Sequence, residues 1–347
     1  MAETTQAPPS FESVTAGAPA GALNPQVPRG AAVAALGVGL PERRVGNELI
    51  AGRLGVEEDW IVARTGIGER RIAAQDESVA DLAATAATRA LAAGGIDPAA
   101  VDLVLLATLS HERLIPNASA LVAERIGATA AGAIDLNAAC TGFVSGLAIA
   151  SGQIESGRAG TIVVIGAEIL SRLVDDYDRR TAALFGDGAG AAVLTATRGS
   201  TRIGPVAFGS DGSRCELITA DRREGVIRMN GHDTFRQAVD RLSESTLEAC
   251  ARAGLELGEI DVFAYHQANA RILTAVSERL ELDPGRVVNC IGRLGNTSAA
   301  TVPLALADAE ERGLLSDGAR VLLGAFGGGL TWAATVVEWG TGERPDA

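Results

Sequence analysis

Asp135-Leu136-Asn137-Ala138-Ala139-Cys140-Thr141-Gly142-Phe143 is the stretch from which the fold is read. A strand-length run, Gly132 to Leu136, leads into it, and a Gly- and Ala-rich helical run, Phe143 to Ile154, leads out. The turn between them puts Cys140 at a helix N-terminus. Unpaired backbone N–H groups and the positive end of the helix dipole favour an anion there and draw a thiol's pKa down toward the reactive thiolate. Cysteine is also among the most buried residue types, so the same position suits a core residue that does no chemistry.

The unit is repeated. Gly95-Ile96 and then Val101-Asp102-Leu103-Val104 are echoed by Gly254-Leu255 and Ile260-Asp261-Val262-Phe263 at an offset of 159 positions. The same offset carries Asn137-Ala138-Ala139-Cys140 onto Asn296-Thr297-Ser298-Ala299. One offset covering two separated blocks implies a duplicated fold in which two equivalent strand-to-helix turns, bearing Cys140 and Asn296, face a common site.

Outward from these turns, short apolar runs alternate with helical periodicity, the pattern of an α/β architecture. Ala31 to Val38 reads as a strand turned by Gly39-Leu40-Pro41, and Asn47 as the cap of a helix running to Arg53. Ser78-Val79-Ala80-Asp81 is a capping box with Asp in place of the usual Glu or Gln, opening a helix to Ala93. Val101 to Thr108 is the continuous apolar run of a parallel strand covered on both faces. A helix over Ala118 to Ile126 and a strand over Thr161 to Ile165 continue the alternation. The duplication divides the chain into an N-terminal half, residues 31–200, and a C-terminal half, residues 201–347.

Composition narrows the function classes. A chain of 347 residues holds two domains or one large duplicated one. With only 3% aromatics, packing must rely on small aliphatics and close backbone approach. All 30 basic residues are Arg, which reads as a base-composition effect rather than a mechanistic one. A net charge of −13 argues against a nucleic-acid binder, since a phosphate backbone is gripped by excess positive charge. The four cysteines form no CxxC pair and no dense disulfide framework, pointing to a reducing cytoplasm. Residues 1–30 carry five of the twelve prolines and no apolar run, so a flexible extension without signal-peptide character is expected. No uncharged apolar run reaches membrane-spanning length.

Several further stretches carry candidate chemistry. Trp60 to Arg71 mixes an aromatic with clustered Arg, which suits a nucleotide or polyanion and equally a solvated turn region. His266, one of three histidines, follows a strand and precedes a helix, where α/β folds place ligands, although a buried histidine is as often a core residue. Asn296 starts a helix and by itself is no more than a cap. Gly324-Ala325-Phe326-Gly327-Gly328-Gly329-Leu330 puts three glycines between two apolar strands, allowing backbone N–H groups close to a ligand. Phe185-Gly186-Asp187-Gly188-Ala189-Gly190 lacks the GxGxxG spacing, so a dinucleotide site is rejected.

Taken together, DLNAACTGF around Cys140, FGDGAGAAVL at 185–194, HQANARI at 266–272, GNTSAATVP at 295–303 and AFGGGLTW at 325–332 resemble β-ketoacyl-acyl-carrier-protein synthase III. The resemblance runs from about residue 31 to residue 340 with every motif in family order. It implies the thiolase-like fold, a duplicated αβαβα arrangement, in a homodimer. It also implies decarboxylative condensation of an acyl-CoA starter with malonyl-acyl carrier protein through an acyl-Cys140 intermediate, initiating fatty-acid or polyketide chains. Carried over by motif, Cys140 is the nucleophile, and His266 Nε2 and the Asn296 amide are donors to the enolate. Backbone N–H groups of Cys140 and Gly328 form the oxyanion hole. Trp60, Arg64, Arg179 and Asn269 contact CoA, and Phe185, Met229 and Phe326 line the acyl pocket, with Ile115 contributed across the dimer. Arg236 and Arg271 form a basic patch for the acidic carrier. No metal and no permanently bound cofactor are implied.

Two stretches depart from the family pattern: Val56-Glu57-Glu58 before Asp59-Trp60 sets acid near the CoA phosphates, and Leu109 and His111 fall in a segment that often carries small hydroxyl residues. A relative that transfers the acyl group to an oxygen or nitrogen acceptor without decarboxylation is the alternative, with a cysteine hydrolase more distant. A thiolase needs a second cysteine near Gly328, and a non-catalytic homologue is expected to lack Cys140 or His266.

Overall fold

The computed structural model describes residues 29–199 and 201–341. The expected N-terminal extension therefore lies, but for its last two residues, outside the described residues. The N-terminal half comprises β1 (Arg29–Gly39), β2 (Arg44–Gly46), α1 (Asn47–Leu54), α2 (Glu58–Thr65), β3 (Glu69–Arg71), α3 (Val79–Gly94), β4 (Leu103–Ala107), α4 (Ala118–Arg125), β5 (Gly132–Leu136), α5 (Gly142–Glu155), β6 (Thr161–Ile169) and β7 (Asp187–Arg198). β8 (Ala207–Ser210), β9 (Ile218–Ala220), β10 (Ile227–Met229), α6 (Gly231–Ala253), β11 (Val262–Tyr265), α7 (Ala270–Arg279), α8 (Ile291–Leu294), α9 (Thr301–Glu311), β12 (Arg320–Gly327) and β13 (Thr331–Glu338) follow.

Two main sheets form, ordered β1-β7-β6-β4-β5 and β11-β12-β13-β8, beside the two-stranded pairs β2-β3 and β9-β10. In the first, β4 runs parallel to β5 and β6 while β7 is antiparallel to β6 and β1. In the second, β11 and β12 are parallel and β13 is antiparallel to β12 and β8. The continuous apolar run of β4 is explained by burial on both faces: Leu105 joins the core between the sheets, whereas Val104 and Leu106 face the outer layer of α3 and α4. That inter-sheet core packs α5 and α9 and includes Phe143, Leu147, Val302 and Leu306, so it is common to both halves. α6 and α7 cover the outer face of the second sheet. The layering is the duplicated αβαβα thiolase-like arrangement.

The offset of 159 is physical. Asp102 ends its turn by accepting from Gly160 N and Thr161 N at 2.6 and 3.0 Å, and Asp261 accepts from Arg320 N, the equivalent of Thr161, at 2.8 Å. In the second half the fifth strand shrinks to a single bridge, Phe263 to Val287. The capping box forms as read, with Asp81 N donating to the Ser78 hydroxyl and Ser78 N donating to Asp81. Asn47 does not cap α1, whose N-cap is Gly46. Its buried amide donates to Ile67 O at 2.7 Å and accepts from Arg70 at 2.8 Å. Asn47 thus holds a buried guanidinium and the loop after α2, a role that needs tertiary partners and leaves no local signal.

Candidate active site

Cys140 lies in a 3₁₀ turn, Ala139–Thr141, that runs directly into α5, and the turn Ser298–Ala300 stands in the same relation to α9. Ala139 and Ser298 occupy equivalent positions and both hold left-handed backbone, φ 46° and 49°, which non-glycine residues adopt only when the surroundings impose it. In each turn an asparagine two residues earlier receives that residue's N–H, Asn137 from Ala139 at 3.5 Å and Asn296 from Ser298 at 2.8 Å. The turns pack against each other, and β12 closes over the first of them. A side chain at Gly327 would sit 2.9 Å from both the backbone nitrogen and the Cβ of Cys140, so only glycine lets the strand end reach the nucleophile.

The setting reverses one expectation. Burial pushes the Cys140 thiol up to about 11, outweighing the pull of the helix start, and the nearby Glu168 adds to the rise. The thiol is therefore held protonated at neutral pH and needs a base.

His266 lines the same cavity as Cys140. It follows β11, with its N–H donating to Gly324 O at 2.7 Å and its ring buried. Nδ1 lies 2.6 Å from the Thr301 hydroxyl, whose own hydrogen goes to Ser298 O at 2.9 Å. A hydroxyl has one hydrogen, so toward the ring it accepts, and Nδ1 carries the proton. Burial drives His266 down to about 3, leaving a neutral ring with a bare Nε2. The expected donor role of Nε2 thus requires the ring first to gain a proton or exchange tautomers; at rest Nε2 is an acceptor. Asn296 is clasped by its backbone, donating to Leu184 O at 2.9 Å and accepting from Gly186 N at 3.0 Å. Its Oδ1 is engaged by Ser298 N, which orients the amide with Nδ2 as the remaining donor.

Cys140, His266 and Asn296 line one cavity of about 850 Å³, together with Gly327, Gly328 and Gly329. Leu109, Phe185, Met229 and Phe326 give it apolar wall, and Trp60, Arg64, Arg179, Asn269 and Arg271 give it polar wall. Some of these residues do more or less than the sequence suggested. The Arg64 guanidinium lies 4.3 Å over the Trp60 ring, so the two stack on each other and leave no slot for a base between them. Arg179 donates to Leu54 O at 2.8 and 3.0 Å and to Gly55 O, closing the C-terminus of α1. Asn269 caps α7 through Arg271 N at 2.9 Å and ties it to Arg64 O at 3.1 Å. Arg271 lies over the Phe235 ring, and Arg236, exposed on α6, does not reach the cavity. Ile115 is 86% exposed and outside the cavity of its own chain. His111 turns to Glu112 and Pro116 O, and Glu57 and Glu58 start α2 without lining the cavity.

Sequence reasoning missed Thr301, Ser298 and Glu168. The first two sit inside the GNTSAAT motif. Glu168 had one sign, an acid within the apolar run of β6, passed over because that strand was expected to stop at Ile165.

Comparison with known proteins accords with this geometry. The family 3-oxoacyl-[acyl-carrier-protein] synthase III matches residues 134–212, and its C-terminal family matches residues 250–339. Beta-ketoacyl-[acyl-carrier-protein] synthase III 2 of Streptomyces coelicolor is 45% identical over 318 residues, 90% of this chain and 95% of the relative. The synthase III of Listeria monocytogenes is 41% identical, with 88% and 98% covered. The crystal structure of the Pseudomonas aeruginosa synthase III superposes with a TM-score of 0.86 at 40% identity, covering 91% of this chain and all of that one. A priming β-ketosynthase of a polyketide biosynthetic pathway gives 0.87 at 35% identity, with 92% and 98% covered. With close relatives matched over almost their whole length, the chain belongs to the 3-oxoacyl-[acyl-carrier-protein] synthase III family of acyl-transferring condensing enzymes.

Proposed function

We propose that the protein joins an acyl-CoA starter to malonyl-acyl carrier protein, initiating a fatty-acid or polyketide chain through an acyl-Cys140 intermediate. The observation that carries this reading is the convergence of a protonated thiol, a neutral His266 with a bare Nε2 and an oriented Asn296 amide on one cavity. His266 Nε2 takes the thiol proton, and the thiolate attacks the thioester carbon. Backbone N–H groups of Cys140 and Gly328 hold the oxyanion, and the proton leaves with the departing CoA thiol. In the second half-reaction malonyl loses CO₂. Asn296 Nδ2 donates to the enolate oxygen, as does His266 Nε2 once the neutral ring has exchanged tautomers, losing the Nδ1 proton and taking one at Nε2 by way of solvent in the cavity, with the Thr301 hydroxyl turning to donate to the bared Nδ1. The enolate carbon attacks the acyl carbon and expels the Cys140 thiolate, which is reprotonated.

CoA enters past Trp60 and Arg64, its base stacking on the outer face of that pair. Arg236 and Arg271, on an otherwise acidic chain, receive the acidic carrier. No permanently bound cofactor takes part. The protein works in the cytoplasm as a homodimer: β5 is an edge strand whose Ile134 is 48% exposed, a ready template for pairing, and the exposed Leu114 and Ile115 lie on the loop before α4. Ile115 then completes the partner's acyl pocket.

Incubation with acetyl-CoA and malonyl carrier protein is expected to release CO₂ and yield a 3-ketoacyl product. In Cys140→Ala the acyl-enzyme mass shift disappears. Acyl transfer to a hydroxyl or amine acceptor without CO₂ would overturn the condensing assignment in favour of simple acyl transfer.

A further inference from the structure

Glu168 is fully buried on β6, and the mechanism above does not use it. Its Oε2 accepts from the Ser110 hydroxyl at 2.5 Å and from the Thr108 hydroxyl and Leu109 N at 3.2 Å. Its Oε1 has no aligned partner, and neither does the buried Ser298 hydroxyl. These two unpaired groups belong to elements in contact: the 298–300 turn packs both on β6, which carries Glu168, and on the turn that carries Cys140. The approach is built in. Gly166 precedes Glu168 by two residues on the same face of β6, and a side chain there would meet Ala299 O at 2.2 Å, so the 298–300 turn is pressed onto the strand. Ser298 commits its N–H to Asn296 and its carbonyl to the Thr301 hydroxyl that holds His266, which leaves its buried hydroxyl as the one polar atom without an aligned partner.

We propose that Ser298 and Glu168 form a positioning pair behind the nucleophile: protonated Glu168 donates to the Ser298 hydroxyl, which donates its single hydrogen to the Cys140 sulfur and steadies the thiolate. When Glu168 ionises, its Oε1 becomes an acceptor and draws the same hydroxyl hydrogen away. The sulfur then loses its donor and gains a negative neighbour. Burial pushes Glu168 up to about 7, so the two arrangements exchange near neutral pH. The other titratable groups around it are few. Cys140, on the turn beside it, feels its charge. On β7, Asp187 is bound by Ser171 and Ala73 N, with Arg172 nearby.

The proposal rests on Cys140 being the nucleophile of the reaction above, but its test needs only the thiol. The rate of iodoacetamide labelling of the Cys140 peptide is followed by mass spectrometry from about pH 7 to about pH 12, a window that brackets the raised thiol. Glu168→Gln, a mimic of the protonated acid that cannot ionise, is expected to move the labelling midpoint down by about one pH unit. Ser298→Ala, which removes the hydroxyl donor, moves it up. An unchanged or raised midpoint in Glu168→Gln overturns the pair, and that variant decides the matter even if Ser298→Ala does not fold. Opposite shifts in an enzyme that releases no CO₂ would leave the pair standing and remove the condensing assignment instead.

Discussion

Thr301 shows how much one hydroxyl decides. By giving its hydrogen to Ser298 O it forces His266 to donate from Nδ1 and to present a bare Nε2, the form a buried thiol near 11 requires. Thr301→Val keeps the shape and removes the acceptor. Acylation by acyl-CoA is expected to slow by on the order of 10²-fold, with kcat falling and KM unchanged, as measured by single-turnover mass spectrometry. Arg179 gives the contrasting case. Its guanidinium closes α1 through the Leu54 and Gly55 carbonyls. Arg179→Ala therefore costs about 1 kcal/mol in chemical denaturation as well as raising the KM for acyl-CoA, whereas Arg64→Ala raises KM alone.

Among the elements, β6 does the most to assemble the site. Its alternate residues serve two cores, Ile162 and Val164 inward and Val163 and Ile165 outward, while Gly166 admits the turn that carries Asn296 and Ser298. Gly166→Ala places a carbon 2.2 Å from a backbone oxygen, a clash that no side-chain rotation relieves. Destabilisation of about 3 kcal/mol is expected in urea unfolding, with loss of condensation at temperatures where the variant is still folded, because the Asn296 turn must move.

For the molecule as a whole, pH links folding to the site. Glu168 has its carboxyl raised from the ordinary 4.5 to about 7, so the folded protein keeps a proton that the unfolded chain has already lost. The stability present below about pH 4.5 is lost as pH rises through 7, by on the order of 3 kcal/mol. His266, held near 3, acts in the opposite sense, and its contribution is lost as pH falls below 6.5. Between about pH 4.5 and 6.5 the two effects offset each other in the parent, so urea unfolding of Glu168→Gln is expected to show stability rising with pH across that window where the parent stays flat. The proposed dimer is testable on the same scale: if the β5 edges pair, Ile134→Arg yields monomers in light scattering and impairs use of acyl-CoA, because on that proposal Ile115 acts in the partner's pocket. Much of this was legible in the chain itself. The offset of 159 gave the duplication, the continuous apolar run of β4 gave a doubly covered strand, and the family resemblance of the motifs named Cys140, His266 and Asn296 as candidates, which the structure brings to one cavity. Only the tertiary structure decided that the Cys140 thiol is raised rather than lowered, that Nε2 begins as an acceptor, that Trp60 and Arg64 stack on each other, and that the Ser298 turn packs on the strand of Glu168 and on the Cys140 turn. Desolvation, tautomer choice and the meeting of residues 130 positions apart depend on neighbours that the fold supplies and that no local stretch of sequence encodes.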